Sequence, residues 1–293
     1  MFRWLSRLFR SVSRPSEGSL PSTQATNGGL TDLFKKNEYR PSLDAGGDDG
    51  LVTLFRQCAS SHVHDWLSNI PERIAFVDVE TTGLSSSDRV VSIGLIHLQT
   101  RSLQENLLDA SIQHLIFDPE KKSAPKAEEV HGYDDWILRH QDRFVEHADK
   151  LRSLIDSSDL LVAHNVMFDL QFINREFSRC GMPDVATPTY CTMQRYRGLG
   201  VGGSSSLDNV CRKLGLSRLG NTHGALEDAW LVMQVYLWLH DCSYYASLPF
   251  SVCPDASVMN FKEPPARPEG AIPRRRKRAM QIAEAHQTNS GRN

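Results

Sequence analysis

Phe76-Val77-Asp78-Val79-Glu80-Thr81-Thr82-Gly83-Leu84 is an apolar run that closes on two acids and a Thr-Thr-Gly turn. With Ile74-Ala75 before it, the stretch reads as a buried strand. Strand side chains alternate, so Asp78 and Glu80 point to one face. Two carboxylates leaving a buried strand together repel each other and lose hydration, so the pair needs a proton or a cation. Hard cations prefer oxygen ligands, which makes Mg²⁺ or Mn²⁺ the natural counter-charge. Taken alone, the pair also suits two solvated acids at a strand edge.

Two further acid sites lie downstream. In His164-Asn165-Val166-Met167-Phe168-Asp169, His164 closes the short strand Leu160–Ala163 and Asp169 opens a helix running to Cys180. The carboxyl ends of strands in open α/β sheets are where ligands gather; an acid that merely favours the helix dipole is the plainer reading of Asp169. In His223-Gly224-Ala225-Leu226-Glu227-Asp228-Ala229, His223 and Asp228 would stand about 140° apart on a continuous helix. They converge only if His223 lies in the loop before it, and Gly224 allows that break; a structural histidine is the alternative. Together, Asp78, Glu80, Asp169 and Asp228 suffice for two divalent ions, with His223 as a general base titrating near neutrality. One shared purpose explains five such residues better than five separate ones.

The surrounding pattern alternates strands with helices. Strands are expected at Ile74–Val77, Val90–Leu98, Asn106–Phe117 and Leu160–Ala163. Helices are expected near Lys126–Val130, Tyr133–His140, Phe144–Ile155, Phe168–Cys180, Leu207–Leu214 and Ala225–His240. The result is an α/β domain over residues 71–245. Residues 1–50 form a basic head and a Ser/Pro/Gly-rich linker with too little apolar surface to offset chain entropy. A leading helix is expected over 51–70, from a helical pattern at Leu51–Ser68. Residues 246–293 are broken by prolines and carry Arg274-Arg275-Arg276-Lys277-Arg278. They are expected to be a disordered, solvated tail, whose cations could touch nucleic-acid phosphates.

The 293 residues are 40% hydrophobic, enough for a core, and 33 Lys+Arg against 35 Asp+Glu leave a formal charge of −2, which identifies no partner. The six cysteines show no C-x-x-C spacing, so a zinc framework is not indicated and reduced thiols are expected. No run of about 18 apolar residues occurs, so no membrane-spanning helix or other transmembrane segment is expected. Its start, Met1 to Arg10, is basic and amphipathic without a secretory apolar core. A bacterial-type cytoplasmic location is expected, with organellar or membrane-surface association through that head as the alternative.

The three motifs Asp78-Val79-Glu80-Thr81-Thr82-Gly83-Leu84, His164-Asn165-x-x-Phe168-Asp169 and His223-Gly224-Ala225-x-x-Asp228-Ala229 closely resemble those of the DEDDh family of 3′–5′ exonucleases. The likeness is to the epsilon-type proofreading subunits of bacterial DNA polymerase III and their stand-alone homologues. It covers about residues 72–240, and Val130-His131-Gly132 and Ser204-Ser205-Ser206-Leu207-Asp208 fit it as well. The resemblance implies a ribonuclease-H-like α/β fold with a mixed central sheet flanked by helices, two Mg²⁺ or Mn²⁺ ions, and release of nucleoside 5′-monophosphates. It makes Asp78, Glu80, Asp169 and Asp228 the metal ligands and His223 the general base. Thr81, Thr82, Leu84, His164, Asn165 and Phe168 would line the terminal nucleotide. Two departures stand out: relatives often carry a Glu where this chain reads Val91-Ser92-Ile93-Gly94, and many have Asp-Thr where it reads Cys191-Thr192.

The expected substrate is the 3′ end of single-stranded DNA, with RNA as the alternative within the same fold, because telling the two apart depends on the 2′-hydroxyl pocket. A non-catalytic nucleic-acid-binding module and a polymerase-associated subunit, held through the terminal tails, are the readings from other classes. The intact set of acids argues against the first.

Overall fold

The computed structural model describes residues 52–57, 70–105, 107–200, 202–216, 223–240 and 259–274. Among these, six strands form one mixed sheet: β1 (Val52–Gln57), β2 (Arg73–Thr81), β3 (Val90–Gln99), β4 (Leu107–Ile116), β5 (Leu160–Ala163) and β6 (Thr189–Cys191). The spatial order is β1-β4-β3-β2-β5-β6. The β1–β4, β4–β3 and β3–β2 pairs are antiparallel, and β2–β5 and β5–β6 are parallel. The helices are α1 (Pro125–His131), α2 (Asp135–Leu138), α3 (Ala148–Asp156), α4 (Val166–Arg179), α5 (Thr192–Gly198), α6 (Leu207–Leu214) and α7 (Ala225–Leu239). This is the expected α/β architecture, a mixed sheet flanked by helices.

The period-two alternation of β2 builds both cores. Ile74 and Phe76 pack with Trp230, Met233 and Tyr236 of α7 on one face. Ala75, Val77 and Val79 pack with Phe172, Ile173 and Phe177 of α4 on the other. A central strand coated on both sides must be apolar at successive positions, which is why Ile74 to Val77 are all fully buried. Helix α7 is apolar all round because it is covered twice: its Leu231 and Val235 pack outward against Tyr196 of α5 and Val210 and Cys211 of α6.

Three expectations change. The predicted leading helix is, over Val52–Gln57, strand β1, paired with Leu107–Ile112 of β4; residues 58–69 of that prediction lie outside the described residues. Val-Thr-Leu-Phe suits a strand, and the free edge of β4 decides between the two readings. Strand β6 and helix α5 follow each other directly across Cys191-Thr192, in a stretch too short for a period to show.

The third correction is the tail. Residues 259–274 lie against the domain as an extended strap. The Met259 N–H donates to the His114 carbonyl at 2.8 Å. Asn260 uses its side-chain amide to bond both backbone groups of Ile116, at 2.9 and 2.7 Å. The strap therefore covers the part of the β4 edge beyond its β1 pairing. It continues over Gln141, which exchanges two hydrogen bonds with the Lys262 backbone, and over Trp136, whose indole N–H donates to the Pro265 carbonyl. Proline-rich chain has no periodicity to read, so such docking leaves no mark in the sequence. The head (1–50) and residues 275–293 lie outside the described residues. Among the described residues, no helix is long and apolar enough to cross a membrane.

Candidate active site

Even-numbered residues of β2 face α7, so Asp78 and Glu80 face it too. Glycine 94 of β3 pairs with Asp78. A Cβ there would lie 2.3 Å from the Ala225 carbonyl and the Leu226 nitrogen. Only glycine lets the first turn of α7 rest on the sheet at this depth. That first turn carries Asp228, and Gly224, extended at φ −119° and ψ 125°, precedes it as the N-cap. His223 thus lies outside the helix, as convergence requires. Its N–H donates to the Val130 carbonyl at 3.0 Å, and its Nδ1 is 3.3 Å from Asp228 Oδ2. Glu80, His223 and Asp228 each offer a ligand atom, all within 4.8 Å of one another.

Asp169 enters from the other side. Strand β5 pairs with β2 only through Phe76–Val162, so the Val79 N–H lies beyond the parallel ladder. Asp169, in the first turn of α4, accepts that N–H at 3.2 Å. The carboxyl is buried. Burial, then the nearby Asp78 and then Glu80 raise its pKa well above the usual carboxylate value, against the pull of the Val79 hydrogen bond. The structure thus brings all five predicted catalytic residues to one place. The cluster holds more negative charge than a buried site tolerates alone, and its donors are carboxylate oxygens. That donor set fits divalent cations.

The flanking residues have more varied settings. Thr81 donates to the Gly83 carbonyl at 2.9 Å. Thr82 is fully buried and donates to Asp88 Oδ1 at 2.9 Å, so its hydroxyl serves the loop. Leu84 stands 84% exposed at the loop tip. Asn165 is an exposed N-cap at φ 83°, a left-handed conformation Asn tolerates. Phe168 is half-buried, its ring centroid 4.9 Å from Phe172. His164 binds away from the carboxylates: Nε2 is 2.7 Å from the Ser205 carbonyl and Nδ1 is 2.9 Å from Thr192 Oγ1. A carbonyl only accepts, so Nε2 carries the proton and Nδ1 accepts from Thr192. Burial lowers the pKa of this imidazole, consistent with the neutral form.

Residues 75–236 match the family described as "RNase_T: Exonuclease". The chain belongs to this exonuclease family. Similar relatives are the DNA polymerase III subunit epsilon of Pasteurella multocida (strain Pm70), 32% identical over 180 residues, and that of Escherichia coli (strain K12), 30% identical over 182. The alignments cover 58% of this chain and 68% and 72% of those proteins. Among solved structures, the nuclease domain of 3′hExo, a DEDDh family member bound to rAMP, is 14% identical with a TM-score of 0.49, covering 60% of this chain and 94% of that one. The protein is therefore a hydrolytic exonuclease, of a family that works with divalent metal ions.

In this exonuclease the loop after Glu80 is held by residues the sequence did not single out. Asp88 is fully buried and accepts from Thr82, from Ser85 and from Lys121 Nζ at 2.7 Å. Burial alone would raise its pKa; those bonds overcome burial and hold the carboxyl well below the usual range. The returning chain is fixed by Glu176 of α4, which takes Arg89 Nε at 2.7 Å, Nη2 at 2.9 Å and the Val90 N–H at 3.2 Å. Asp88→Ala leaves the 8%-exposed Lys121 ammonium without this partner. It should cost about 3–5 kcal/mol in urea unfolding. Replacing Lys121 by Met in the same variant should recover much of that loss. A loss under about 1 kcal/mol in the single variant would show that the pair does not anchor the loop.

A second expected outcome concerns pH. His131 on α1 is buried, and burial pushes its imidazole pKa down to about 4. A histidine depressed in the folded state binds protons more readily when unfolded. Its contribution is therefore complete above the unfolded value of about 6.5 and is lost as pH falls from there toward 4. The full effect is about 3 kcal/mol. His131→Asn should flatten the fall in urea-unfolding free energy across this window; an unchanged slope would rule His131 out as its source.

Proposed function

We propose that the protein is a two-metal 3′–5′ exonuclease that removes nucleoside 5′-monophosphates from single-stranded DNA. The observation that carries this is the meeting of Asp78 and Glu80 from one strand, Asp169 and Asp228 from the first turns of two helices, and His223 from the loop before the second. Two Mg²⁺ or Mn²⁺ ions, when bound by the four carboxylates, supply an activated water and stabilise charge on the leaving 3′ oxygen. His223, whose Nδ1 lies 3.3 Å from Asp228 Oδ2, would take the proton of the attacking water. Gly94 and the Val79–Asp169 hydrogen bond fix the carboxylates in advance, so little reorganisation is left to the reaction. Exposed Leu84 and half-buried Phe168 offer apolar surface to the terminal base and sugar. DNA is favoured over RNA by the likeness to DNA polymerase III epsilon subunits.

The test is digestion of 5′- and 3′-labelled DNA and RNA oligomers of one sequence, with Mg²⁺ or with EDTA. The expected result is a 5′-labelled ladder shortening from the far end, immediate release of the 3′ label as mononucleotide, faster turnover of DNA, and no reaction in EDTA. Early release of the 5′ label, or cleavage that survives chelation, would overturn the proposal.

A further inference from the structure

The exonuclease reading leaves unused the turn that ends α1. The helix stops at His131, and Gly132 turns the chain in the left-handed region at φ 76°, its N–H donating to the Glu128 carbonyl. The next N–H, that of Tyr133, donates to His131 Nδ1 at 3.0 Å. A ring nitrogen that accepts carries no proton, so the imidazole is the neutral tautomer with its hydrogen on Nε2. The side chain is 4% exposed, and Nε2 is buried with no hydrogen-bond partner among the described residues. Leaving a buried donor unpaired costs about 1–3 kcal/mol. Packing alone would be served better by an apolar side chain, so the bond through Nδ1 needs a reason of its own.

The turn touches the catalytic cluster from both of its ends. On the helix side, the Val130 carbonyl accepts the His223 N–H at 3.0 Å, one of the last-turn carbonyls that a helix cannot satisfy itself. His223 stands before the N-cap of α7, and its Nδ1 lies 3.3 Å from Asp228 Oδ2. On the far side, Tyr133 is near enough to Glu80 that its phenol pKa is raised first by burial and then by that carboxylate. The His131 and Tyr133 rings stack with centroids 5.7 Å apart. We propose that His131 is a positioning residue, whose Nδ1 latches the 130–133 turn and through the Val130 carbonyl sets the place of His223. This rests on the nuclease reading above, in which His223 is the base.

The test uses the full chain, with digestion of a 5′-labelled single-stranded DNA oligomer in Mg²⁺, hydrogen exchange of the His223 amide in the metal-free protein, and folding checked by thermal melting. His131→Leu removes the acceptor. His131→Asn restores one, because asparagine Oδ1 and histidine Nδ1 branch from the same Cγ. The Leu variant should lose about 10²-fold in kcat, the effect of a displacement of about 1 Å among reacting groups, with KM and Mg²⁺ dependence unchanged. Its His223 amide should exchange about tenfold faster, the worth of one hydrogen bond. Asparagine should rescue both. In a His223→Ala background His131→Leu should cost no further activity, since it acts through that residue. A folded Leu variant that keeps wild-type kcat or wild-type exchange overturns the latch. So does an Asn variant as slow as Leu, or a further loss in the His223→Ala background. Should leucine unfold the protein, His131→Phe, closer in shape to imidazole, takes its place under the same criteria. Wild-type chain that digests no DNA, while the variants shift exchange as described, would count against the nuclease reading instead.

Discussion

Asp169→Asn should abolish exonuclease activity while raising the melting temperature of the metal-free protein. Asp169 is a buried carboxyl near Asp78 and Glu80, and burial and these two neighbours outweigh the Val79 hydrogen bond and disfavour its charge. An amide of the same shape removes that conflict and still accepts the Val79 N–H through Oδ1. The gain should be about 1–3 kcal/mol, a rise of roughly 3–8 °C for a domain of this size. Activity should fall by a factor on the order of 10³ or more, about 4 kcal/mol in the barrier. Metal should then stabilise the wild type and leave the variant nearly unmoved, because binding to the folded state is what raises its stability. A melting temperature that drops in the metal-free variant would mean that the carboxylates are not in conflict. The site trades stability for function, as active sites commonly do.

Gly94→Ala should be almost as damaging, although Gly94 bears no chemical group. The added methyl would meet the Ala225 carbonyl and Leu226 nitrogen at 2.3 Å, and these are backbone atoms of a packed helix that cannot swing aside. Helix α7 must shift by about 1 Å, carrying Asp228 and the end of the His223 loop with it. Overpacking of this kind costs about 1–3 kcal/mol. A displacement of that size among reacting groups costs about 10²-fold in rate. The loss should fall on kcat and on the Mg²⁺ concentration needed for half-maximal rate. A variant with wild-type metal dependence would show that α7 does not depend on Gly94 for its seat.

These two residues mark how far the sequence could be read. Asp169 was legible because an acid between Phe168 and Leu170, after a strand ending in His164, breaks an apolar pattern that needs a reason. Asp78, Glu80 and Asp228 likewise stand out against apolar neighbours, His223 by the glycine that follows it, and β2, β3, β5 and α7 by their apolar content. Gly94 carries no mark of its own in the family comparison, where Val91-Ser92-Ile93-Gly94 departs by lacking a Glu, although a glycine inside a buried strand is itself a sign of close backbone approach. Asp88 escaped because its partners Thr82, Ser85 and Lys121 are brought together by loop geometry rather than by spacing. Strand β1 was misread as helix because β4, whose paired residues lie 50 to 60 positions away in sequence, supplies the partner that settles its form. The strap was misread as free tail because its contacts pair backbone and side-chain groups across more than 110 residues, a distance at which no local signal survives.

Everything turns on whether the four carboxylates form one cage for paired cations. Anomalous diffraction from crystals soaked with Mn²⁺ and a nucleoside 5′-monophosphate tests this most directly. Two manganese peaks about 3.5–4 Å apart are expected, ligated by Asp78, Glu80, Asp169 and Asp228, with the His223 ring beside them. Manganese bound elsewhere, with no peak in coordinating reach of Asp169 and Asp228, would contradict it.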